Sequence, residues 1–341
     1  MSNTFKNIVL SAMILAFVVI VLGAYVRLTD AGLGCPDWPG CYGILLGVPT
    51  TEADIALANT DYERAVEVGK AWREMIHRYF AGVLGLLILA ISILLIRKNQ
   101  QGQRHVFSAV ALAGLLLLQA TLGMWTVTMQ LKPLIVMGHL LGGFTLFNLL
   151  AWQWLRATNV MPQMESQQAG KLLNFSVLAI AVLFFQIALG GWVSSNYAAL
   201  ACTDFPTCQQ QWWPSMDFSN GFIMWRGLGV DYEYGVLEHP ARVAIHYTHR
   251  IGAIVALLVL GRYLHQLAKN SKQVPVLRNI ARIGSLLLLV QIALGISNIY
   301  FKLPLAVAVA HNGVALLLLF SIVSSAYMLK SAKNNSNLSI S

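Results

Sequence analysis

The sequence predicts an all-α integral membrane protein whose eight transmembrane helices form two tandem four-helix bundles related by pseudo-two-fold symmetry. Three observations lead to this prediction: an apolar composition, eight long apolar runs and an internal repeat. Of the 341 residues, 57% are hydrophobic and 11% are charged, whereas a soluble domain carries about 25% charged residues. The composition therefore excludes an ordinary soluble domain and indicates a chain that lies mostly within a bilayer.

Eight apolar runs each have close to the roughly 20 residues that a helix needs to cross a bilayer. In chain order the runs cover residues 8–26, 79–96, 106–128, 134–155, 173–193, 247–268, 282–300 and 304–328. The first run has no small-residue cleavage site before its polar flank, so we expect a retained helix and not a signal peptide. An even number of spans places both termini on the same side of the membrane.

Positive charge is concentrated on the side of the membrane that carries the termini, where thirteen basic residues face a single acid, Glu165. The thirteen are Lys6, Arg97, Lys98, Arg104, Arg156, Lys171, Arg262, Lys269, Lys272, Arg278, Arg282, Lys330 and Lys333. Because Lys and Arg accumulate in cytoplasmic loops, we expect a multi-pass protein of the cell inner (plasma) membrane with both termini cytoplasmic. The long loops, about 27–75 and 194–246, are then periplasmic or extracellular. Topology accounts for the net charge of +9, which leaves no basic patch for a nucleic-acid partner.

An internal repeat divides the chain into two units. The segment QATLG at 119–123 matches QIALG at 291–295 with an offset of 172 residues, and the loop cysteines share a second offset of 167. The five-residue difference falls in the loops, where insertions are tolerated best. We therefore predict a first unit, 1–160, and a second unit, 161–341, each with four spans. An even number of spans per unit makes the repeats parallel, related by an axis along the membrane normal.

All four cysteines lie in the two long loops, as pairs with identical spacing: Cys35 with Cys41, and Cys202 with Cys208. In an oxidising compartment such close pairs favour disulfides. Zinc is the alternative, but a structural zinc site needs four ligands, and His239 is the one loop histidine outside another motif. Each bridge is either a staple of its loop or a dithiol that exchanges electrons with a periplasmic reductase.

Each unit holds two histidines at equivalent positions in its second and fourth spans. His77 and His139 of the first unit match His249 and His311 of the second at the offset of 172 residues. Ionisable groups inside a membrane are costly and usually functional. Two imidazoles on opposing helices can ligate a haem iron axially, with the flat porphyrin between the helices. Zinc requires more ligands and copper requires Cys or Met nearby, so we expect haem.

A haem at these positions needs cations for its propionates and small residues where the macrocycle approaches the backbone. The candidate cations are Arg78, Arg250, Lys132 and Lys302. The candidate small residues are Gly82, Gly142 and Gly143. Ordinary close packing of helices is the alternative explanation for these glycines.

The two units differ at one position beside the histidines. Glu74 lies three residues before His77, on the same face of the helix, and His246 takes the equivalent position in the second unit. A carboxylate beside one pocket and not the other suggests chemistry in the first unit and a supporting cofactor in the second. The alternative is that Glu74 only pairs with Arg73 or Arg78.

Several motifs together resemble the haem A synthase family, of the bacterial type with loop cysteines. They are GAYVRLTDAGLGCPDWPGCYG at 23–43, EMIHR at 74–78 and the paired histidines. The resemblance covers residues 8–328 and implies a fold of two four-helix bundles. It also implies an oxidoreductase that converts the C8 methyl group of haem O to a formyl group, which gives haem A for cytochrome oxidase assembly.

The resemblance further implies a role for each candidate residue. His249 and His311 would be the axial ligands of a haem b cofactor, and His77 and His139 would bind the iron of the substrate haem O. Glu74 would be a catalytic acid, and the two cysteine pairs would match the loop disulfides of the family. Haem O synthase would be the donor of the substrate. No nicotinamide or flavin motif is present, so the electron acceptor stays unassigned.

Two successive oxidations of a methyl group give a geminal diol, which loses water to an aldehyde. With water as the oxygen source, a carboxylate near the reacting carbon would stabilise a cation or activate the water. Two other functions use the same four histidines. A di-haem b electron-transfer cytochrome would not need Glu74, and a haem carrier or transporter would need weaker, exchangeable ligation.

Overall fold

Ten helices run through the part of the chain that a computed structural model describes, namely residues 2–97, 103–158, 160 and 162–338. They are α1 (Asn3–Leu28), α2 (Glu52–Asp61), α3 (Val68–Arg97), α4 (Gln103–Thr128), α5 (Pro133–Thr158), α6 (Ser166–Ser195), α7 (Phe218–Gly221), α8 (His239–Asn270), α9 (Pro275–Tyr300) and α10 (Leu305–Leu338). Within these ranges β-structure is limited to two isolated bridges. The predicted all-α fold is confirmed.

Eight of these helices are long enough and apolar enough to cross a membrane, and each coincides with one of the predicted runs, the last to within one residue. This fits a multi-pass membrane protein. Most of the helices begin earlier than the runs, and the differences are largest for α3, which begins at Val68 and not near 79, and for α8, which begins at His239 and not near 247. The extra turns carry polar residues such as Lys70 and Arg242, so hydropathy alone does not detect them.

The long loops contain two short helices, α2 and α7, that the apolar runs do not predict. The side chain of Thr51 accepts a hydrogen bond from the backbone N–H of Asp54 at 3.1 Å and caps α2. Asp217 caps α7 in the same way through the backbone N–H of Asn220 at 3.0 Å. Capping signals of this kind are local and have no long apolar run behind them.

The eight long helices pack as two groups of four. Around the first group the contacts run from α1 to α3, α4, α5 and back to α1; around the second they run from α6 to α8, α9, α10 and back to α6. The groups meet through α1, α5, α6 and α10. Across this interface Phe147 packs edge-on against Phe320 at 5.7 Å, and Trp152 against Tyr327 at 4.9 Å between ring centroids.

The grouping of helices follows the predicted units, while the boundary at 160 and 161 stays a prediction. It falls between the end of α5 at Thr158 and the start of α6 at Ser166, where residues 159 and 161 lie outside the described part of the chain. Lys98, one of the thirteen basic residues of the topology argument, also lies outside it. The pseudo-two-fold axis likewise remains a prediction.

Candidate functional site

The four intramembrane histidines all pack against glycines of a neighbouring helix. The Cε1 atom of His77 on α3 lies 3.1 Å from the position of a Cβ on Gly23 of α1. The same contact joins His139 to Gly123 at 3.3 Å, His249 to Gly190 at 3.2 Å, and His311 to Gly295 at 3.2 Å. A side chain larger than hydrogen at these four positions would press on an imidazole. These four pairs are called the histidine–glycine contacts below.

The glycines of these contacts were present in the repeat but were not recognised as functional. Gly123 and Gly295 end the matched segments QATLG and QIALG, and Gly23 and Gly190 end a second matched LG pair. The glycines expected near a haem behave differently. Gly82 is exposed with nothing within 4 Å of a Cβ, and Gly142 lies under the amide of Gln119, whose Nε2 would be 1.8 Å from a Cβ.

Each pair of histidines comes from helices that lie diagonally across their group of four. Among the described residues, α3 makes no close backbone contact with α5, and α8 makes none with α10. Even so, His77 and His139 lie near enough to interact electrostatically, and so do His249 and His311. The two histidines of each group are therefore close to each other although their helices lie diagonally.

The chemistry of these pairs fits a haem better than a bare metal ion. No group of three His, Cys, Asp or Glu residues that could hold a metal ion occurs in the described ranges. The Nδ1 atoms of His77, His139 and His311 are buried without a hydrogen-bond partner. Two opposed imidazoles with flat glycine surfaces beside them match the two axial ligands and the planar shape of a haem.

Glutamine side chains distinguish the second pair of histidines from the first. The Nε2 atom of Gln186 lies 3.1 Å from Nδ1 of His249, and that of Gln291 lies 3.3 Å from Nε2 of His311. Each glutamine lies one turn before the glycine that its histidine contacts. Polar groups bound to an imidazole restrict its orientation. The second pair therefore has two side-chain contacts that can orient its rings.

The first unit lacks this arrangement. Val19 takes the position equivalent to Gln186, so no glutamine side chain is available to His77 there. Gln119 is the equivalent of Gln291, but its Nε2 is buried without a hydrogen-bond partner and lies against Gly142. His77 and His139 therefore lack the glutamine side-chain contacts that the second pair has.

Glu74 is buried and joins α3 to the first cysteine loop. It is the one buried acid among the described residues, at 4% exposure. Its Oε2 accepts a hydrogen bond from the backbone N–H of Cys35 at 2.9 Å, and its Oε1 pairs with the Arg78 guanidinium. The pairing with Arg78 that the sequence offered as the alternative is therefore present. The carboxylate is therefore buried one helical turn from His77, with a hydrogen-bond partner on each oxygen.

His246 makes the equivalent contact in the second unit. It is also buried, and its Nδ1 accepts a hydrogen bond from the backbone N–H of Cys202 at 3.4 Å. In both units, the residue three positions before the histidine of the second span, His77 or His249, thus binds the first cysteine of its loop. Only the first unit places a carboxylate there.

Both cysteine pairs are disulfides, as expected. The S–S distances are 2.03 Å for Cys35–Cys41 and 2.02 Å for Cys202–Cys208. Within each loop an aspartate accepts two backbone N–H groups beyond the second cysteine: Asp37 from residues 42 and 43, and Asp204 from residues 209 and 210. The Thr207 hydroxyl, aided by those backbone groups, holds the pKa of Asp204 below its usual range. We call residues 35–46 and 202–213 the disulfide loops.

The cations expected at haem propionates have other partners. Arg78 donates to the carbonyls of Asp37, Pro39 and Gly40, and Arg250 donates to those of Cys202, Asp204 and Thr207. Each arginine directly follows a histidine, His77 or His249, and binds a disulfide loop to the helix that carries that histidine. The sequence could not separate this role from propionate binding, because both place a cation beside the same histidine.

The remaining two candidate cations differ from each other. Lys132 is buried; its Nζ donates to the carbonyl of Gly227 and lies 3.6 Å from the ring centroid of Trp225. Lys302 is exposed. Lys132 therefore binds a loop of the other unit, which the sequence did not suggest.

The long loop of the second unit crosses onto the first unit. Arg64 pairs with Asp231 and Glu233, and the backbone N–H of Tyr232 donates to the carbonyl of Gln130 at 3.1 Å. With the Lys132 contact, these bonds tie the segment 225–233 to the first unit. The longer second loop thereby joins the two units outside the helices.

Comparisons with known proteins agree on a single family. The COX15-CtaA family model, described as cytochrome oxidase assembly protein, matches residues 6–323. A heme A synthase of Shewanella oneidensis is 43% identical over 93% of this chain and 94% of its own length. Heme A synthases of Rhizorhabdus wittichii and Caulobacter vibrioides are 25% and 27% identical, over 94% and 89% of this chain and 92% and 90% of their own lengths.

Proposed function

The chain belongs to the COX15-CtaA family of cytochrome oxidase assembly proteins, the haem A synthases, and we propose that it oxidises the C8 methyl group of haem O to a formyl group. The product, haem A, would serve cytochrome oxidase assembly. The observation that carries the proposal is the pair of diagonal histidine sites, of which one has a buried carboxylate and the other has glutamine contacts.

The second unit is the proposed cofactor half. His249 and His311 would be the axial ligands of haem b, with Gln186 and Gln291 restricting the two rings. Bound haem b supplies a redox-active iron for electron transfer. A resident cofactor benefits from rigid ligands, because outer contacts to ligating histidines raise affinity by about 10–100-fold. This supports retention of haem in the second unit.

The first unit is the proposed substrate half. His77 and His139 would bind the iron of haem O, and the missing glutamine contacts favour exchange of this haem because substrate must enter and product must leave. The glycine surfaces at Gly23 and Gly123 leave room for the rings. Less constrained ligands in this half and restrained ligands in the other are the physical basis for the two assignments.

Glu74 is the proposed catalytic residue. Oxidation of the methyl group proceeds through the alcohol and a geminal diol, which loses water to give the aldehyde. A carboxylate at this position stabilises positive charge that develops at the reacting carbon, or accepts a proton from the attacking water. Burial strengthens both effects because a low local dielectric weakens screening.

The proposed location is the cell inner (plasma) membrane, with both termini cytoplasmic and the disulfide loops periplasmic or extracellular. The basic residues on the terminal side support this orientation, and the two disulfides support an oxidising compartment for the loops. Haem O synthase is the proposed donor of substrate. A separate electron acceptor would take the electrons that the methyl group loses.

The test is pigment analysis of membranes from a host that makes haem O and lacks its own haem A synthase. Expression of this chain should convert part of the haem O to haem A, identified by chromatography and mass. A di-haem cytochrome would add b-type haem and no haem A. A carrier would change the distribution of haem O between fractions and leave its structure unaltered. Absence of haem A at normal protein level would overturn the proposal.

A further inference from the structure

The two disulfide loops carry exposed apolar side chains at equivalent positions. Trp38, Leu45 and Leu46 of the first loop correspond to Phe205, Trp212 and Trp213 of the second at the offset of 167 residues. Four of these side chains are 66–78% exposed: Leu45, Leu46, Trp212 and Trp213. The other two, Trp38 and Phe205, are 43% and 38% exposed. We call these sets the apolar triplets. Large apolar groups that stand out at repeated positions mark an interaction surface.

The triplets are presented by rigid loops. Each loop is closed by its disulfide, by its aspartate and by a backbone bridge, which joins Cys41 to Ile44 and Cys208 to Gln211. Arg78 and Arg250 then bind the loop carbonyls to the helices. A rigid support keeps the apolar side chains exposed because the loop cannot fold back to bury them.

The first loop lies beside the first half of α3. It is bound at Arg78 and through the backbone N–H of Gly47, which donates to the Tyr79 hydroxyl at 2.8 Å. These residues are about 15 Å along the helix from its start at Val68, at 1.5 Å per residue. The exposed apolar stripe of α3 begins earlier, at Trp72, and continues through Ile76. The first triplet is therefore bound to α3 close to residue 79, where the predicted apolar run of that helix begins.

The second loop lies at the end of α9 and beside α8. The Tyr300 hydroxyl donates to the Phe205 carbonyl at 3.3 Å, and Tyr300 is the last residue of that span. The Tyr247 hydroxyl donates to the Trp212 carbonyl at 2.7 Å, and its ring packs edge-on against Trp213 at 5.6 Å. Exposed Trp and Tyr at the ends of spans are typical of the membrane–water interface.

We propose that the two disulfide loops are membrane-interface anchors, whose apolar triplets enter the boundary between lipid headgroups and acyl chains. The triplets continue the lipid-facing surface of α3 and the end of α9, so a bilayer around the eight spans meets them without a change in the fold. One anchor on each unit would fix the depth and tilt of α3 and α8, the helices that carry His77 and His249. This inference does not depend on the proposed reaction.

The experiment measures tryptophan fluorescence of the whole protein in lipid nanodiscs. Wild type is compared with the double variant W212S/W213S, so that the difference reports these two of the nine tryptophans. Lipids with bromine at shallow acyl positions should quench the difference emission more than lipids with bromine near the chain ends, and aqueous iodide should have little effect. W225S is the reference for an exposed loop tryptophan outside the triplets.

The first loop is tested in the same background. L46W in W212S/W213S replaces one exposed apolar side chain by another and should restore the quenching by shallow bromine. Quenching of either signal by iodide without quenching by bromine would place the triplets in water, as a docking surface for another protein would be, and would overturn the proposal. Stronger quenching by deep than by shallow bromine would also overturn it.

Discussion

The imidazole of His249 lies against Gly190, with Cε1 at 3.2 Å from the position of a Cβ. This distance is shorter than ordinary van der Waals contact, so even a methyl group must displace the ring. The contact recurs at His77, His139 and His311 with their own glycines. The orientation of each intramembrane histidine thus depends on the absence of a side chain on the neighbouring helix.

The first prediction follows from that contact. G190A should lower the content of b-type haem, and G190V should lower it further, because overpacking of this kind costs about 1–3 kcal/mol. Alanine alone would favour the helix over glycine by about 1 kcal/mol, so a loss has to come from the imidazole. Haem per purified protein, measured by absorbance, checks the result. G82A is the control, since Gly82 is exposed with nothing near its Cβ position; wild-type haem in G190V would contradict the prediction.

The second prediction concerns the ligands of the cofactor. Purified protein should show a low-spin b-type spectrum, because two neutral imidazoles give a strong axial field. H249A and H311A should each lose this spectrum. H265A provides a control on the same helix as His249, because His265 is exposed. A normal low-spin spectrum in both ligand variants would move the cofactor out of the second unit.

The third prediction separates the two units by their glutamines. Q186L should lower the affinity for b-type haem by about 10–100-fold, and so speed its release, because it removes a contact to Nδ1 of His249 and Nε2 is the nitrogen left for iron. Q291L should have a smaller effect, because Gln291 contacts Nε2 of His311, and that nitrogen cannot hold the amide and the iron together. Q119L, the equivalent change in the first unit, should leave b-type haem unchanged. Transfer of haem to an excess of apomyoglobin measures the rate. Equal effects of the three variants would argue against the assignment of the units.

Part of this site could be predicted from the sequence. The histidines, the cysteine pairs and the spans are marked by chemistry or by long apolar runs, and the repeat identifies equivalent positions. The histidine–glycine contacts were within reach, since Gly23 and Gly190 occupy matched positions. A lone glycine in a transmembrane helix has close packing as its ordinary explanation, and only the structure relates it to an imidazole.

Other features depend on contacts between distant parts of the chain. The sequence makes Arg78 and Arg250 candidates for propionate binding because each follows a histidine, whereas the bonds that the structure shows go to carbonyls about 40 residues away in sequence. Lys132 binds Gly227, 95 residues away. Backbone carbonyls leave no trace in sequence composition, so bonds of this kind were not predictable. The early start of α3 was missed because charged residues hide it from hydropathy.

The fourth prediction concerns the disulfides. Non-reducing mass spectrometry should find Cys35 linked to Cys41 and Cys202 linked to Cys208. Serine replacement of one pair should cost at most ~2–3 kcal/mol of loop stability, because each closed loop is short. The eight long helices should remain folded by circular dichroism while hydrogen exchange in the altered loop rises. Bound zinc with free thiolates would contradict the pairing, and unchanged exchange would contradict the stabilising role.

Removal of the first disulfide should also affect the reaction, because the Cys35 N–H is a partner of Glu74. C35S/C41S should lower haem A more than C202S/C208S, whose loop contacts His246. Chromatography of extracted pigments at matched protein level measures both. An equal loss of haem A in the two variants would show that the disulfide loops affect the reaction only through the general stability of the loops, and not through the contact with Glu74.

The last prediction concerns Glu74, which breaks the symmetry between the units. In E74Q the amide oxygen can still accept the Cys35 N–H, so the loop should stay bound, while the negative charge is lost. Haem b should be retained because it belongs to the other unit. Haem O, or a hydroxylated intermediate, should accumulate while haem A falls, since loss of a positioned acid or base costs ~10²–10⁴ in rate.

The matched control for E74Q is E67Q, which removes an exposed carboxylate paired with Lys70 on the same side of the protein. An exposed ion pair contributes ~0–1 kcal/mol, so E67Q should leave haem A near the wild-type level. Chromatography of membranes with matched protein content compares the two variants. If E74Q also gave near-normal haem A, the contacts with Cys35 and Arg78 would describe the whole role of Glu74, because the glutamine retains a hydrogen-bonding side chain there and lacks only the charge.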